Sequence, residues 1–290
     1  MKLKDLLNQK YFMPEHLKDV IEHLENHYAN YQDPWGLDFK KAIKSLKLLW
    51  PLYKYYYRVR LFGKENVGDK PYMVTSNHSG QIAIDGMLLS VAFVLEVDPP
   101  RILRGMIERF MVKLPFVGTF AAESGSVLGD RDNCRFLLEK KESIMVFPEG
   151  VPGVAKNAED FYQLQTFTRG FFRLALETQT DILPIAIIGA EEMYPGAKQH
   201  LKLAKFFKLP TFPTTYLFPW LGPLGAVPLP SPIDIYIGKP YSIPQDLDIH
   251  APDSEIDKHV EKIKEQIQEM IDEGLQKRRP FFAQSKDKAK

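Results

Sequence analysis

The stretch Val74-Thr75-Ser76-Asn77-His78-Ser79-Gly80 decides the fold, because an apolar run here breaks abruptly into polar side chains and glycine. A second stretch, Ile144-Met145-Val146-Phe147-Pro148-Glu149-Gly150, has the same pattern. A buried strand delivers side chains to the rim of a sheet in this way. We therefore expect both strands to end at one rim, with His78 and Glu149 as candidate functional residues.

Strand and helix candidates alternate along the interior of the chain. Strands are predicted at 72–76, 101–105, 143–147, 182–188 and 233–237. Helices, each with apolar residues at three- and four-residue spacing, are predicted at 86–96, 106–113, 132–141 and 168–179. This alternation predicts an α/β fold in which helices flank a mostly parallel central sheet.

Further helices are predicted at both ends of the chain. Residues 14–31 have the pattern of an amphipathic helix, and a C-terminal helix is predicted over 254–277 with Ser254 as its N-cap. We divide the chain into three parts. These are an N-terminal helical, membrane-interface segment (1–65), an α/β domain (66–245) and a C-terminal helix with a charged tail (246–290).

Composition excludes several classes of protein. The 44% hydrophobic and 26% charged residues are typical of a globular protein and argue against a disordered or multi-span membrane protein. The net charge of +1 gives no general attraction to nucleic acid. The single cysteine, Cys134, excludes an internal disulfide and a metal site made of thiolates, and it favours a reducing cytosol. We see no secretory signal at the N-terminus.

Two segments predict contact with a membrane surface. Residues 42–61 interleave aromatic side chains with lysine and arginine, which suits a membrane interface. Residues 209–233 carry no formal charge and are long enough to cross a bilayer, but their seven prolines disfavour a spanning helix. A lid, groove wall or interfacial loop is the better interpretation. We expect peripheral binding at the cytoplasmic face of a membrane.

His78 has the clearest chemical context of the seven histidines. A neutral imidazole near pH 7 can take a proton from a hydroxyl and later return it, as acyl transfer requires. The alternative is a histidine at a strand end that only bonds to the backbone.

Asp85 is the nearest downstream carboxylate and could orient that imidazole. A continuous helix from His78 to Asp85, an advance of seven positions, would separate the two residues by roughly 10 Å, so a turn must fold back between them. As an alternative, Asp85 caps a helix that begins at Gly86.

Two other polar stretches are candidate binding loops. Glu149 and Gly150 follow a strand, and Lys156 comes shortly after them. The alternative is an ordinary turn with a solvated glutamate. Gly125 to Asn133 forms a second polar elbow, in which Arg131 offers a forked donor for phosphate.

Several other chemistries lack their sequence signatures. The chain has no Gly-x-Ser-x-Gly elbow, no Gly-x-x-x-x-Gly-Lys-Ser/Thr loop and no Gly-x-Gly-x-x-Gly fingerprint. It also has no His-Glu-x-x-His, so a zinc site is unsupported and we predict no metal.

The order of four blocks resembles the glycerolipid and lysophospholipid acyltransferase superfamily. The blocks are Asn77-His78 with Asp85, Gly125 to Arg131, Phe147 to Gly150, and Ile182-Leu183-Pro184-Ile185-Ala186. Their joint occurrence over roughly residues 70–240 is more specific than any one block.

This resemblance implies roles for individual residues. His78 would be the base that activates an acceptor hydroxyl, and Asp85 its orienting acid. Binding of the acceptor would involve Arg131, Glu149, Gly150, Lys156 and Arg169. The acyl donor would be a thioester of coenzyme A or of acyl carrier protein, and no cofactor would be needed.

The predicted activity is transfer of an acyl group from a thioester to the hydroxyl of a glycerolipid or related alcohol. The chain has six residues between His78 and Asp85 where the family commonly has four, and Val151 where it usually has threonine. These differences leave open that the chain belongs to a divergent branch of the family, which acts on a less usual or neutral acceptor. Two other functions also remain open: a lipid hydrolase or thioesterase, with Ser79 as a less favoured nucleophile, and a non-catalytic lipid-binding protein.

Overall fold

The computed structural model describes residues 13–29, 31–80, 82–112, 114, 116–206 and 211–279. The strands of its main sheet are β1 (Arg60–Phe62), β2 (Met73–Ser76), β3 (Arg104–Ile107), β4 (Val127–Leu128), β5 (Ile144–Val146), β6 (Ile182–Ile188) and β9 (Asp234–Ile237). Among the described residues this sheet has seven strands in the order β1-β9-β6-β2-β5-β3-β4. A separate antiparallel pair is formed by β7 (Lys198–Gln199) and β8 (Pro213–Thr214).

Most neighbouring strands of the main sheet run parallel. Strand β2 pairs with β5, where Val74 lies opposite Met145, and with β6, where Val74 lies opposite Leu183. Strand β3 runs parallel to β5 and β4, whereas β9 runs antiparallel to β6. Strands β2, β3, β5 and β6 therefore end at one edge, which we call the carboxyl edge. His78 and Glu149 follow strands that end there.

Helices cover both faces of the sheet. One face carries α1 (Leu17–Tyr28), α2 (Phe39–Pro51), a π-helical turn (Leu52–Tyr56) and α3 (Ile84–Leu95). The short helices of the connections are α4 (Arg109–Val112), α5 (Val117–Glu123), α7 (Val151–Val154) and α9 (Leu201–Phe206). The other face carries α6 (Arg131–Glu139), α8 (Gly170–Thr178) and α10 (Asp253–Gln276). Turns of 3-10 helix lie at Lys64–Asn66, Ala158–Asp160, Glu191–Met193 and Gly222–Ala226.

The sequence patterns of the helices follow from these two layers. Helix α3 is apolar nearly all round because it packs on the sheet and also on α1 and α2, which buries Leu88 and Phe93. Helix α10 covers one face only, so it buries a stripe that includes Ile256, Ile263 and Ile267. Each fully buried aliphatic side chain stabilises the fold by about 1.5–3 kcal/mol.

The predicted α/β class with a mostly parallel sheet is confirmed. The predicted helix over 106–113 is wrong in its first half, because Met106 and Ile107 belong to β3 and pair with β4. The helix there begins only at Arg109. A short apolar run fits the period of a helix and that of a strand equally well. Pairing with neighbouring strands then decides which of the two forms.

The C-terminal helix is present, but Ser254 is not its N-cap. Pro252 occupies that position, and its carbonyl oxygen accepts the N–H groups of Glu255 at 2.9 Å and Ile256 at 3.2 Å. Ser254 is thus the second helical residue. Asp253 and Glu255 place negative charge in the first turn, where the helix dipole favours it.

The aromatic residues of segment 42–61 divide between core and surface. Trp50 of α2 and, after it, Tyr53 and Tyr57 are buried in the core, whereas Leu48 and Tyr55 are exposed. Most of the aromatic surface that suggested a membrane interface is therefore used for packing. A role of this segment in membrane contact stays a prediction.

The proposed division of the chain at residue 65 also stays a prediction. Strand β1 precedes that boundary, yet it pairs in parallel with β9 as part of the main sheet. The charged end of the C-terminal part lies outside the described residues. Among the helices that are described, none combines the length and the apolar character needed to cross a bilayer.

Candidate active site

The chain folds back after β2 and brings Asp85 to His78. The Nδ1 atom of His78 lies 2.7 Å from Oδ2 of Asp85, and the same oxygen accepts the main-chain N–H of Ser79 at 2.9 Å. Gly80 permits this turn, since its φ is +88° and a Cβ there would lie 2.8 Å from the Ala190 carbonyl oxygen. The structure thus contains the turn that the long spacing required.

Asp85 is fully buried and accepts hydrogen bonds on both oxygens. Its second oxygen accepts the N–H of Gly86 at 2.8 Å. Helix α3 has Ala83 at its N-cap, so Asp85 is a first-turn residue and not the cap of a helix that starts at Gly86. Because a carboxylate only accepts, the ring hydrogen of His78 lies on Nδ1 and the lone pair stays on Nε2. That nitrogen can take a proton from a hydroxyl.

Phe147 fixes the plane of the His78 ring. The two rings stack with centroids 4.1 Å apart and an angle of 18° between their planes. The His78 side chain is 12% exposed, which leaves an opening to the ring. The Phe147 ring also packs close to Gly86, where an added Cβ would lie 3.4 Å from it.

Glu149 binds main-chain groups on two sides of the site. One of its oxygens accepts the N–H of His78 at 2.9 Å, and the other accepts the N–H of Gln165 at 2.7 Å. The side chain is buried, and Lys156 lies 3.1 Å from the second oxygen. Glu149 therefore holds together the strand end of His78 and the loop after β5.

Lys156 links Glu149 to a third buried residue, Glu191. Its Nζ lies 3.1 Å from a carboxylate oxygen of each glutamate. Burial raises the pKa of Glu191 to about 7, although the neighbouring Lys156 opposes that rise. Glu191 also accepts the main-chain N–H of Tyr162. One ammonium group thus neutralises part of a buried cluster that supports the site.

Sequence reasoning missed two residues of this framework. Glu191 follows the end of β6 after Gly189 and Ala190, which is the same break from apolar to polar that identified the other two strand ends. Asn77 pairs its side-chain amide with both main-chain groups of Ile187, over 2.8 and 2.9 Å, and so fastens the end of β2 to β6.

The remaining predicted binding residues lie around this core of the site. Gly150 precedes α7 with a φ of +57°, a conformation that glycine adopts readily. Arg131 begins α6 and binds Glu177, with the closest nitrogen and oxygen 2.7 Å apart. Arg169 binds Asp253 and Asp257 of α10. Both arginines thus pair with surface carboxylates, and their roles in acceptor binding stay predictions.

Ser79 offers little support for a serine hydrolase. Its side chain is fully buried, and its Oγ has no hydrogen-bond partner among the described residues. A nucleophile needs both a base and access to substrate. Across the same described residues, no three His, Cys, Asp or Glu side chains converge to hold a metal ion.

Comparison with known proteins finds a family that resembles the central part of this chain. Residues 58–188 match the family model named Acyltransferase. This range contains His78, Asp85, Arg131 and Glu149. Residues 58–188 therefore resemble the Acyltransferase family.

Curated relatives extend the similarity beyond that part of the chain. An uncharacterized protein of Mycobacterium tuberculosis is 41% identical over 212 residues, which is 72% of this chain and 59% of the relative. The chain thus spans about three-fifths of the length of that relative. The 1-acyl-sn-glycerol-3-phosphate acyltransferase of Saccharomyces cerevisiae is 26% identical over 140 residues, covering 44% of this chain and 42% of the yeast protein.

A solved structure has the same fold. The crystal structure of the 1-acyl-sn-glycerophosphate (LPA) acyltransferase PlsC from Thermotoga maritima matches with a TM-score of 0.51 and 17% identity. The match covers 91% of this chain and 96% of PlsC. At this level of identity, the likeness concerns the fold and not the substrate.

Proposed function

We propose that this protein is an O-acyltransferase that moves a fatty acyl group from an acyl thioester to the hydroxyl of a glycerolipid or related alcohol. The observation that carries the proposal is the bond of 2.7 Å between His78 Nδ1 and Asp85, within the residues that resemble the Acyltransferase family. This bond leaves Nε2 of His78 as a base. Similarity to the yeast acyltransferase supports a glycerolipid acceptor.

His78 would move one proton twice during the reaction. Nε2 takes the proton of the acceptor hydroxyl while the hydroxyl oxygen attacks the thioester carbonyl carbon. The tetrahedral intermediate then collapses, the carbon–sulfur bond breaks, and the leaving thiolate takes the proton from the imidazolium. Asp85 would stabilise the imidazolium between these steps, as the carboxylate does in serine-protease triads. No covalent enzyme intermediate, metal or cofactor is needed.

Acceptor binding would divide between direct and indirect contributions. Glu149 and Lys156 are buried, so we expect them to order the loop that ends at Gly150. Arg131 is half-exposed and would exchange Glu177 for an anionic group of the acceptor. Arg169 is held by two aspartates of α10, and we expect a smaller contribution from it.

The acyl donor would be acyl-coenzyme A or acyl-acyl carrier protein, because both present a thioester. We also propose peripheral binding to the cytoplasmic face of a membrane. In the uncharged segment 209–233, Tyr216, Trp220 and Leu224 are exposed, which supports an interfacial loop. No contact with nucleic acid is expected.

Product analysis tests this function directly. Purified protein would be incubated with isotope-labelled acyl-coenzyme A and a mixture of glycerol 3-phosphate, lysophosphatidate, lysophosphatidylcholine and a long-chain alcohol, followed by mass spectrometry. We expect a labelled ester of at least one acceptor. Labelled free acid that forms equally well without any acceptor would indicate a thioesterase, and no product with coenzyme A or carrier-protein donors would contradict the proposal.

A further inference from the structure

A group of arginines lies at the carboxyl edge of the sheet, two strands away from the strand that leads to His78. In the sheet order, β9 and then β1 follow β6 on the side away from β2. Strand β9 runs antiparallel to β6, so it begins at the carboxyl edge, where its first residue, Asp234, pairs with Ile188. Neighbouring strands are about 4.8 Å apart, so roughly 10 Å separates β9 from β2.

These arginines also lie at the same level of the edge as His78. Ser76 of β2 pairs with Ile185 of β6, and His78 follows Ser76 by two residues. Ile188, which pairs with Asp234, follows Ile185 by three residues. A single extended ligand could therefore lie along the edge from β2 to β9.

Three arginines share two carboxylates here, and we call Arg60, Arg278 and Arg279 the arginine cluster. Arg60 of β1 binds both oxygens of Asp234, over 2.8 and 2.9 Å. Arg278, which follows α10, binds both oxygens of Glu192, over 2.8 and 2.6 Å. Arg279 binds Oδ1 of Asp234 at 2.8 Å, although Arg60 already holds that oxygen. The cluster therefore has one positive charge more than its two carboxylates compensate.

More cationic groups come from the chain around the cluster. Arg58 precedes β1 and donates to the Pro230 carbonyl oxygen at 2.9 Å, while its own carbonyl oxygen accepts from Arg279 at 2.8 Å. Residues 193–233, which lead into β9, contain four lysines and no aspartate or glutamate. This part of the carboxyl edge is therefore suited to an anion.

The arginine cluster can also offer N–H groups to such an anion. Nη1 of Arg278 and Nε of Arg279 are buried and have no hydrogen-bond partner within the described part of the chain. The side chains of Arg60 and Arg279 are 39% and 21% exposed, so a ligand in solvent can reach the cluster. Burial lowers the pKa of Arg279, although Asp234 opposes that shift, and the charges of Arg60 and Arg278 add to it. An anion with several oxygens would supply acceptors and compensate the charge.

We propose that the arginine cluster binds the phosphate groups of coenzyme A, the carrier of the acyl donor. Coenzyme A has a diphosphate and a ribose phosphate, and the guanidinium fork matches phosphate oxygens. Its pantetheine arm separates these phosphates from the sulfur, and the extended arm is longer than the distance from β9 to β2. The thioester can thus lie at His78 while the phosphates bind the arginines. This role in the reaction rests on the proposed function and favours coenzyme A over acyl carrier protein.

Calorimetric titration with coenzyme A tests the site without any turnover. We expect the full-length protein to bind coenzyme A, and Arg279→Gln to weaken this binding by at least roughly tenfold, the effect of losing a charge-assisted hydrogen bond. Arg101→Gln is the matched control. Arg101 precedes β3 at the opposite edge of the sheet and donates to the carbonyl oxygens of Gly68 and Lys70. Its loss should change the affinity for coenzyme A by less than about twofold.

Two further comparisons separate binding from folding and from catalysis. Arg279→Gln leaves Asp234 with both hydrogen bonds from Arg60, so its melting temperature should stay close to that of wild type. If Arg279→Gln does not fold, Arg60→Gln replaces it, because Asp234 then keeps Arg279. A protein that binds coenzyme A through these arginines but forms no ester would contradict the proposed function and leave the binding site standing.

Three results would overturn the binding site. The first is a folded wild-type protein that does not bind coenzyme A. The second is unchanged affinity in the folded Arg279→Gln variant, and the third is an equal loss of affinity in Arg101→Gln. Ester formation from acyl-acyl carrier protein together with the first result would show that the carrier protein is the donor.

Discussion

Glu149 accepts a hydrogen bond from the main-chain N–H of His78 over 2.9 Å, so the end of one strand fixes the backbone at the end of its neighbour. The same carboxylate binds the N–H of Gln165 and lies beside Lys156. Because this carboxylate is buried and both of its oxygens accept main-chain hydrogen bonds, we infer that the acid of the Phe-Pro-Glu-Gly motif helps to build the site. Its role in binding the acceptor stays a prediction.

Lys156→Met should destabilise the protein strongly. The substitution leaves Glu149 and Glu191 buried without the ammonium group between them, and breaking a buried ion pair typically costs about 3–5 kcal/mol. Urea unfolding would measure the change. Lys70→Met is the matched control, since Lys70 pairs with Asp181 at the surface and such pairs contribute about 0–1 kcal/mol.

A double variant shows whether charge is the cause. Adding Glu191→Gln to Lys156→Met removes one of the two unpaired carboxylates and should recover part of the lost stability. A Lys156→Met protein as stable as Lys70→Met would contradict the buried cluster described above.

Glu191→Gln should change how stability depends on pH. Burial raises the pKa of Glu191 from 4.5 to about 7, so the folded protein keeps a proton that the unfolded chain releases between these values. The stability that this proton provides is complete below pH 4.5 and is lost as pH rises through about 7. At about 1.4 kcal/mol per pKa unit, the variant should gain up to about 3 kcal/mol relative to wild type over that range.

The adjacent Glu192 is the control for this prediction, because its effect has the opposite sign. Burial opposes the shift, but the hydrogen bond from Arg278 lowers the pKa of Glu192. Its stabilisation is present above the ordinary pKa and is lost as pH falls through the lowered one. Glu192→Gln should therefore lose stability at neutral pH and approach wild type in acid. Parallel profiles of stability against pH for the two variants would show that the pKa of Glu191 is not raised.

Gly153→Ala should reduce turnover. A Cβ at residue 153 would lie 2.7 Å from Cβ of Glu149 and 3.2 Å from Cβ of His78. The backbone at Glu149 or Gly153 must therefore shift, and because Glu149 binds the main-chain N–H of His78, this shift disturbs the position of His78. Misplacement by about 1 Å can cost roughly a hundredfold in rate. Gly170→Ala is the matched control, because nothing lies within 4 Å of its new Cβ, and it should retain wild-type turnover. Steady-state kinetics at equal fractions folded would compare them.

Arg131→Ala should raise KM for a phosphate-bearing acceptor by at least roughly tenfold, the effect of losing a charge-assisted hydrogen bond. KM for a neutral alcohol should change little. Arg169→Ala should have a smaller effect, because Asp253 and Asp257 already hold that guanidinium. An equal change in KM for charged and neutral acceptors would remove Arg131 from phosphate recognition.

The sequence predicted the longer elements of the fold better than the shorter ones. Strand β6 was predicted with its observed bounds, 182–188, because seven consecutive buried residues give a clear signal. Strand β4 has only two residues, Val127 and Leu128, and was missed. Strand β1 was missed as well, because its first two residues lie at the end of segment 42–61, which was interpreted as a membrane interface. A strand of two or three residues has too few positions to show alternation, and its pairing partners are distant in sequence.

The site was predictable where chemistry and spacing agreed. The turn between His78 and Asp85 followed from the length of a helix over the same positions, and it is present. The link from Lys156 to Glu191 was not predictable, because it joins two loops 35 positions apart. Only the strand order of the sheet brings those loops together. Arg131 and Arg169 had plausible contexts, but the surface carboxylates that bind them come from other helices.

Single-turnover transfer by His78→Ala and Asp85→Asn tests the central claim most directly. Purified proteins in excess would react with labelled acyl-coenzyme A and the acceptor found by product analysis, with circular dichroism as the check on folding. We predict that His78→Ala lowers the rate of acyl transfer by about 10²–10⁴-fold, the range of a general base. Asp85→Asn should lower the same rate by at least roughly a hundredfold. A folded His78→Ala protein that transfers acyl groups at close to the wild-type rate would contradict the account.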